Sequence, residues 1–435
     1  MIYRTAYDPE MSAEGALDPL GLYSIADLLA NRMLPGVRER HSHPRFLTFI
    51  AVGLLFMDRV EQVLPDDEWQ VDFWEAFEWN IVSAVVASAK GPITGLPGQE
   101  KARDAMKRDL PLNRDRYLKQ SSVFGFHGVY KLLTRTLQIE TDNGFNFPGE
   151  KLAHIWIKEE GVSGFVPGSH GQYERERERF IKTLTESLRE GMAREKWSST
   201  LYPFLAQHFD HSLIRSEERS YISQLLRDDT NGFRSEVIEY SRSNEAQKLI
   251  RSFKGDWSER DFYSLLLSKS SSGLKSLIKA ILAYETFARL MTDAFYDILY
   301  QFSLSGRAVR IAELAKLEEI NKINEKTVKA YRIVDNALAQ VGDMGISTSF
   351  SNKFNAFSVS YSPDEWVSEL MKHHIENQRK KPPKGKRPWF DIDDEGRYWG
   401  RPDYARSEGG LHRDEFMHFY RLRALQSFLT DLKEI

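Results

Sequence analysis

The 435-residue chain contains no cysteine. Disulfides, thiolate zinc sites, iron–sulfur clusters and cysteine nucleophiles are therefore excluded, and a reducing compartment is expected. The N-terminal segment carries acids where a signal peptide has its positive charges, and it lacks the apolar run that would follow them. The sequence thus predicts a cytoplasmic protein.

Long apolar runs free of charge are also absent. The most apolar stretch, residues 274–304, is long enough to span a bilayer. Charged residues nevertheless recur along it, mostly at four-residue steps, which places them on one stripe of a helix: Lys275, Lys279, Glu285, Arg289, Asp293 and Asp297. This pattern is typical of a long core-facing helix in a soluble bundle, so no membrane partner is predicted.

The common catalytic and nucleotide-binding motifs are missing. The chain has no Walker loop, no G-x-G-x-x-G, no H-E-x-x-H, no G-x-S-x-G and no set of kinase motifs. These absences argue against the common nucleotide-binding and hydrolase folds. We therefore predict no catalytic residue, no cofactor and no metal site, and a non-catalytic role is favoured.

The chain is longer than the size at which one hydrophobic core stops growing, so two or three domains are expected. Helical periodicity recurs along most of it and predicts a mainly α fold of multi-helix bundle domains, with a short β or loop segment near the C-terminus. Four segments are predicted: an N-terminal helical docking domain (1–95), a helix-turn-wing-like module (96–170), a helical bundle (171–345) and a C-terminal basic and aromatic segment (346–435).

Within this scheme, three stretches carry specific expectations. The helix of residues 274–304 is predicted to form a hairpin with the helical pattern that follows. Residues 342–362 lose charge and gain serine, glycine and phenylalanine, which predicts a loop or short β segment. A last helix is predicted over residues 412–433.

Near the N-terminus, Pro35 and Gly36 end one helical pattern, because proline lacks a backbone donor and glycine accepts the left-handed conformation common after helices. A second helix is predicted over residues 44–63. Between them lies a basic connection with Arg38, Arg40, His41, His43 and Arg45. Two interpretations stay open: an anion clamp, and a solvated connection whose arginines pair with the acidic segment that follows.

That acidic segment, residues 61–80, contains seven acids and no basic residue, interleaved with aromatics. The spacing predicts an amphipathic helix whose aromatics either pack in a core or anchor a partner. Across the whole chain the net charge is -3, but residues 378–387 hold six basic residues and no acid. Opposite patches of this kind suit protein partners or a local nucleic-acid contact.

Residues 126–159 predict a helix, a short strand-and-turn stretch over residues 138–148 and a second helix. A compact winged-helix-like module would produce this order, and such modules lay one helix in the major groove with basic residues on the DNA backbone. Lys131 and Arg135 would supply charge on the first helix, with Arg108, Arg114, Arg116 and Lys119 nearby. Plain helical domains have the same order, so a structural or protein-binding role stays open.

Two groups of histidines and acids are candidate metal ligands. The first is His208, Asp210 and His211, a set that lacks another identified ligand. The second gathers C-terminal residues and would serve a divalent-metal nuclease: His373, His374, Asp391, Asp393, Asp394, Glu395, His412, Asp414, Glu415 and His418. The acids of residues 391–395 are explained more simply as an acidic turn.

Three stretches together resemble uncharacterised proteins encoded in bacterial anti-phage defence and DNA-modification loci. They are LGLYSIADLLANRMLPGVRERHSHPRFLTF, FGFHGVYKLLTRTLQI, and KGKRPWFDIDDEGRYWG taken with HFYRLRALQSFLTDL. The resemblance implies an accessory, non-catalytic component of an antiviral defence complex, whose partners are helicase, nuclease or ATPase subunits and, as a further candidate, DNA. A nuclease subunit and a purely structural scaffold are the alternatives.

Basic residues of three stretches are predicted to contact DNA or a protein partner: the basic connection before the second helix, the winged-helix-like module and the strip of residues 379–387. They are Arg38, Arg40, Arg45, Lys131, Arg135, Arg379, Lys380, Lys381, Lys384, Lys386 and Arg387.

Overall fold

The computed structural model describes residues 18–91, 93–141, 144–229, 232–252, 258–382 and 385–435. These residues are mainly helical, with nineteen α-helices and two short β-hairpins, which confirms the predicted mainly α fold. In this part of the chain, every helix is too short or too polar to cross a membrane.

The helices are, in chain order, α1 (Tyr23–Met33), α2 (Phe46–Val63), α3 (Phe73–Ser88), α4 (Gln99–Lys107), α5 (Ser121–Phe124), α6 (Phe126–Thr136), α7 (Phe147–Glu160), α8 (Glu174–Glu190), α9 (Tyr202–His208), α10 (Ser216–Arg227), α11 (Arg234–Ser241), α12 (Asn244–Ser252), α13 (Glu259–Leu266), α14 (Ser272–Ser305), α15 (Ile311–Leu314), α16 (Glu318–Val341), α17 (Met344–Phe354), α18 (Pro363–Arg379) and α19 (Leu422–Asp431). The strands are β1 (Glu140–Thr141), β2 (Gly144–Phe145), β3 (Phe390–Ile392) and β4 (Tyr398–Gly400), which pair antiparallel as β1–β2 and β3–β4.

The chain forms two compact units, each assembled from separated stretches of sequence. Unit 1 contains Met1–Met33 and Leu249–Tyr420, and unit 2 contains Leu34–Lys248 and Arg421–Ile435. The four segments expected from the sequence stay a prediction, because compactness in a structure does not test whether a segment folds by itself.

Unit 2 is built around the aromatic helices α2 and α3. Asp72 caps the first turn of α3, and the Glu75 carboxylate accepts the Asp72 N–H in return, at 3.1 Å. Phe77 is fully buried and packs edge-on against Phe126 of α6 and Phe209, with ring centroids 6.2 and 6.1 Å apart. These contacts confirm core packing for the aromatics in the middle of the acidic segment.

The last helix, α19, completes the core of unit 2. The Phe428 ring is fully buried and stacks on His41, with centroids 5.5 Å apart, and lies 6.1 Å from the Tyr130 ring. Asp431 binds His43 at 2.7 Å. The C-terminal residues therefore belong to the same core as residues 34–45, which join α1 to α2 at the start of unit 2 and which we call the elbow.

Unit 1 is organised by α14 and α16, which pack against each other as the predicted helical hairpin. The loop or β prediction for residues 342–362 is wrong, because these residues form α17 and a 3₁₀ turn over Asn355–Ser358. Serine and glycine favour helix weakly, but Phe350 and Phe354 lie one turn apart and both are fully buried. Tertiary packing thus outweighs local preference.

The predicted last helix over residues 412–433 is also too long, since α19 begins only at Leu422. Residues 406–420, which we call the strap, run without regular secondary structure. The strap belongs to unit 1, where it lies along α14.

Candidate functional site

In unit 2, the first turn of α6 is held by a buried carboxylate. Glu78 of α3 is 1% exposed, and its Oε1 accepts the backbone N–H of His127 at 2.8 Å. Gly125 makes this approach possible, because a Cβ there would come within 2.1 Å of Glu78 Oε2. Burial raises the pKa of Glu78 to about 8, although the hydrogen bonds from the start of α6 oppose the shift.

A second carboxylate joins the hairpin β1–β2 to the same helix. Glu140 of β1 binds His127 Nε2 at 3.2 Å and accepts a hydrogen bond from Thr134 Oγ1 at 2.9 Å. The His127 ring also stacks on Trp74, with centroids 3.9 Å apart. The helix and the hairpin are thus fixed relative to each other. The order of helix, strand-and-turn stretch and helix over residues 126–159 is the predicted one.

The elbow, residues 34–45, runs along the opposite side of α6. Gly36 packs where a Cβ would lie 2.6 Å from Thr136 Oγ1, His41 Nε2 binds the Val129 carbonyl at 3.0 Å, and the Arg40 guanidinium lies 4.6 Å from the centroid of the Phe124 ring. Burial lowers the pKa of His41 to about 3, so this histidine is neutral.

Between the elbow and the hairpin, α6 presents one exposed stripe, which we call the α6 ridge. It consists of Gly128, Lys131, Leu132, Arg135 and Thr136, of which Lys131 and Arg135 are exposed and the others half-buried. Lys131 and Arg135 lie one turn apart and therefore point the same way. On the elbow, Arg40 is exposed and Arg38 is half-buried.

Arg45, a predicted contact residue, lies instead in the interior of unit 2. Its side chain is 0% exposed, and it binds Glu160 at 2.7 Å and lies 3.3 Å from the Glu218 carboxylate. Burial alone would raise the pKa of Glu160, but His208, Arg215 and Arg45 outweigh it and lower the pKa to about 2. The prediction that Arg45 pairs with the acidic segment of residues 61–80 is therefore wrong, and we do not count Arg45 as part of a surface.

The strip of residues 379–387 lies at the end of α18, in unit 1. Arg379 and Lys380 are exposed, whereas Lys381, Lys386 and Arg387 are half-buried. Arg387 binds Asp391 at 2.7 Å. Lys384, which was also predicted, lies outside the described residues.

The first group of candidate metal ligands does not converge. His208 binds Glu160 at 3.0 Å, Asp210 accepts the Ser212 N–H at 2.9 Å, and His211 Nε2 donates to the Thr94 carbonyl at 2.7 Å. The three side chains thus serve three separate local contacts.

Two histidines of the second candidate metal group, both on α18, bind backbone carbonyls and not carboxylates. His373 contacts the Leu20 carbonyl at 2.8 Å, and His374 contacts the Pro19 carbonyl at 2.9 Å while its other ring nitrogen accepts the Trp389 N–H at 3.0 Å. Burial lowers the pKa of His374 to about 3, which keeps the ring neutral. Both residues fasten the segment that precedes α1 to α18.

The charged stripe of α14 is only partly a solvated face, because the strap covers it. Asp297 accepts the Gly410 N–H at 2.8 Å, and Asp293 accepts the N–H groups of Leu411 and His412, both at 3.1 Å. Further along the stripe, Glu285 binds His418, Tyr420 and the Met417 N–H. Asp293 and Glu285 are 2% and 3% exposed for this reason.

Of the acids in residues 391–395, Asp391 lies in β3, and Asp393, Asp394 and Glu395 lie in the turn of the hairpin β3–β4. Asp393 binds Arg397 at 2.8 Å, and Glu395 binds the same guanidinium at 3.2 Å. Across the residues that the structure describes, no group of three or more His, Asp or Glu side chains is arranged to hold a metal ion.

Sequence reasoning missed the residues that organise these sites. The partners of Glu78, Glu140 and Glu160 are distant in sequence or lie across a turn. A local sequence pattern does not predict such pairs. The one usable signal was the position of Glu78 between Phe77 and Trp79, inside a helix that is apolar on nearly all sides.

No protein-family model matches this chain, and no curated protein and no solved structure shows detectable similarity to it.

Proposed function

We propose that the chain is a non-catalytic binding protein that contacts nucleic acid, DNA in particular, through the α6 ridge and the adjacent elbow. The observation that carries the proposal is the exposure of Lys131 and Arg135 on a helix that is fixed from both sides by the elbow and the hairpin. A rigid basic helix face of this kind suits contact with a phosphate backbone.

The helix α6 and its hairpin would act together as a small winged-helix-like reader. Glu78 and Glu140 hold the helix and the hairpin in place from the buried side, so ordering them on binding costs little conformational entropy. Arg38 and Arg40 extend the positive surface along the elbow. Arg45 has no part in it, since it is enclosed among carboxylates.

The biological setting is a proposal of its own and rests on the resemblance of three sequence stretches. We infer an accessory component of a bacterial anti-phage defence complex, which brings helicase, nuclease or ATPase subunits to DNA. Co-purification of the tagged chain with the products of neighbouring genes tests this setting. Recovery of the chain alone, under conditions where those products are folded, would count against it.

The DNA contact is tested by measuring the affinity of the full chain for labelled duplex and single-stranded DNA across a salt series. The informative variant combines Lys131→Ala with Arg135→Ala. Loss of two phosphate contacts is expected to reduce the slope of log affinity against log salt by about 1.4 to 1.8. Affinity at low salt should fall for all sequences alike.

A matched control combines Lys329→Ala with Arg332→Ala, which removes the same charge from exposed positions of α16. This variant should retain the slope of the unchanged protein. Equal losses in both variants would reduce the effect to net charge, and absence of binding at low salt would remove the DNA proposal.

A further inference from the structure

The segment that precedes α1 in unit 1 is held through its backbone. The four carbonyls of residues 18–21 accept hydrogen bonds from side chains of α17 and α18, at 2.8 to 3.4 Å. Pro19, Leu20 and Gly21 are buried in this position. We call this segment and its side-chain partners the N-terminal latch; the partners are Lys353, His373, His374, Asn377 and Gln378.

The Pro19 carbonyl is the centre of the latch. His374 Nδ1 lies 2.9 Å from this oxygen, Asn377 Nδ2 3.0 Å and Gln378 Nε2 3.4 Å. Gly21 has a φ of 72° and approaches α18 so closely that a Cβ would lie 2.4 Å from Asn377 Oδ1. The segment is therefore fitted closely to α18, and its departure breaks these hydrogen bonds together.

His374 joins the latch to a second element, the hairpin β3–β4. A carbonyl oxygen can only accept, so His374 Nδ1 carries a proton and donates to Pro19. The other ring nitrogen, Nε2, accepts the N–H of Trp389, the residue before β3, at 3.0 Å. A neutral imidazole has one donor and one acceptor, and this ring uses both.

This geometry has no place for a second proton on the ring. A proton added at His374 Nε2 would point at the Trp389 N–H, so two donors would face each other without an acceptor. The His374 side chain is fully buried, and a charge there would be cut off from water. The aromatic rings around it lie 4.6 to 5.7 Å away and carry no formal charge to offset a positive one: Phe295, Trp389 and Phe390.

The charged groups near His374 also oppose a positive ring. Burial lowers the pKa of His374 to about 3, and the charges of Lys381 and His373 act in the same direction, against the hydrogen bond to Pro19. The acid of the segment is engaged elsewhere, because the two carboxylate oxygens of Asp18 accept the N–H groups at the start of α1 at 2.9 and 3.0 Å.

The second histidine of the latch is held in a similar way. His373 Nε2 donates to the Leu20 carbonyl at 2.8 Å. Burial lowers the pKa of His373, and the charge of Lys353 lowers it further, whereas the Leu20 hydrogen bond, Glu376 and Glu369 oppose the shift. Both histidines therefore favour the closed latch in their neutral form.

We propose that the N-terminal latch is a proton-operated switch, in which protonation of His374 at Nε2 releases residues 18–21 and Trp389 from α18 in one step. In the open form the imidazole is hydrated and takes up a proton from solvent. The carbonyls of residues 18–21 and the Trp389 N–H then bind water. Opening exposes the apolar surface of Pro19 and Leu20, which is buried in the closed form.

The direction of the pH dependence follows from the two states. The open form gains its proton near the ordinary histidine pKa of about 6.5, whereas the closed form resists it down to a pKa of about 3. The closed latch is thus fully stable above about pH 6.5 and loses stability as the pH falls through this window. His374 alone raises the open fraction by up to about tenfold per pH unit, or about 20- to 30-fold between pH 7 and pH 5.

This inference does not depend on DNA binding, because the latch belongs to unit 1 and the α6 ridge to unit 2. Failure of one proposal leaves the other standing.

The test is amide hydrogen exchange of the full chain, measured by mass spectrometry from pH 7 to pH 5 and corrected for the intrinsic exchange rate at each pH. The probes are the N–H groups of Leu22 and Tyr23, which bind Asp18, and the N–H of Trp389. We expect protection at both places to fall about 20-fold or more, while α16 of the same unit keeps its protection. An equal loss in α16 would show that unit 1 loosens as a whole and would overturn the proposal, as would constant protection of the probes.

His374→Gln tests the role of this ring, because glutamine stays uncharged over the whole range. The change in protection between pH 7 and pH 5 should be about 20-fold smaller than in the unchanged protein. This ratio is independent of how well glutamine packs at pH 7. His154→Gln removes a histidine of unit 2 whose side chain is 66% exposed, and it should keep the unchanged profile. Equal pH profiles for the two variants would remove His374 as the switch.

Discussion

At the scale of single residues, Arg45 is a fully buried charge in unit 2 that requires buried counter-charges. Its guanidinium lies between Glu160 and Glu218, both buried, and also donates to the Asp210 carbonyl at 2.5 Å. Burial raises the pKa of Glu218, and the charge of Arg45 opposes that rise. A buried charge of this kind is stable only while its partners remain.

We therefore predict that Arg45→Met destabilises the protein by about 3–5 kcal/mol, because two carboxylates lose their buried counter-charge. Urea unfolding at neutral pH measures the loss. The control is Arg189→Met, which removes an arginine from an exposed pair with Glu68 at 3.4 Å and should cost about 1 kcal/mol or less. Similar losses in the two variants would show that the buried pairs contribute no more than a surface contact.

At the scale of elements, α6 depends on Glu78 for the anchoring of its first turn. The pKa of this carboxyl is about 8 in the folded chain, against an ordinary value of 4.5. The folded form thus keeps a proton that the unfolded form releases between these two values. Stability is expected to fall as the pH rises through this window, at about 1.4 kcal/mol per pH unit at most.

We predict that Glu78→Gln removes this part of the pH dependence, since the amide oxygen still accepts the His127 N–H and carries no charge. The difference in unfolding free energy between the two proteins should grow in favour of glutamine from pH 5 to pH 8 and then level off. Glu68→Gln, at an exposed position, serves as the control. Parallel profiles for Glu78→Gln and the unchanged protein would contradict the prediction.

Helices were predictable wherever an apolar stripe recurs with helical spacing, and α2, α6 and α14 lie close to their predicted bounds. The secondary-structure predictions are wrong where tertiary contacts, and not the local sequence, determine the conformation. Residues 344–354 are helical because buried phenylalanines pack in unit 1, and residues 412–420 lack regular secondary structure because their N–H groups bind carboxylates of α14 instead. Similarly, the sequence shows that Arg45 belongs to a basic stretch, but its burial depends on two acids that lie more than a hundred residues away.

At the scale of the whole molecule, each unit is assembled from separated stretches, and α19 belongs to unit 2 although the chain reaches it through unit 1. We predict that Phe428→Ala destabilises unit 2 by about 3–5 kcal/mol, the usual cost of emptying a buried aromatic site. Limited proteolysis with mass spectrometry should then show early cleavage within residues 34–248. Phe419→Ala, which removes a phenylalanine 58% exposed, should leave the cleavage pattern unchanged. Early cleavage confined to residues 258–420 would contradict this assignment.

The same arrangement has a consequence for the order in which the protein is made. Residues 34–248 leave the ribosome long before α19, yet the Tyr130 and His41 rings of unit 2 are covered by Phe428 of that helix. During synthesis, part of the apolar surface of unit 2 therefore stays exposed to solvent until unit 1 and then α19 have been translated. A nascent chain of this design is exposed to chaperones and proteases for that whole interval, and a ribosome that stalls within residues 249–420 would release a unit 2 that cannot close.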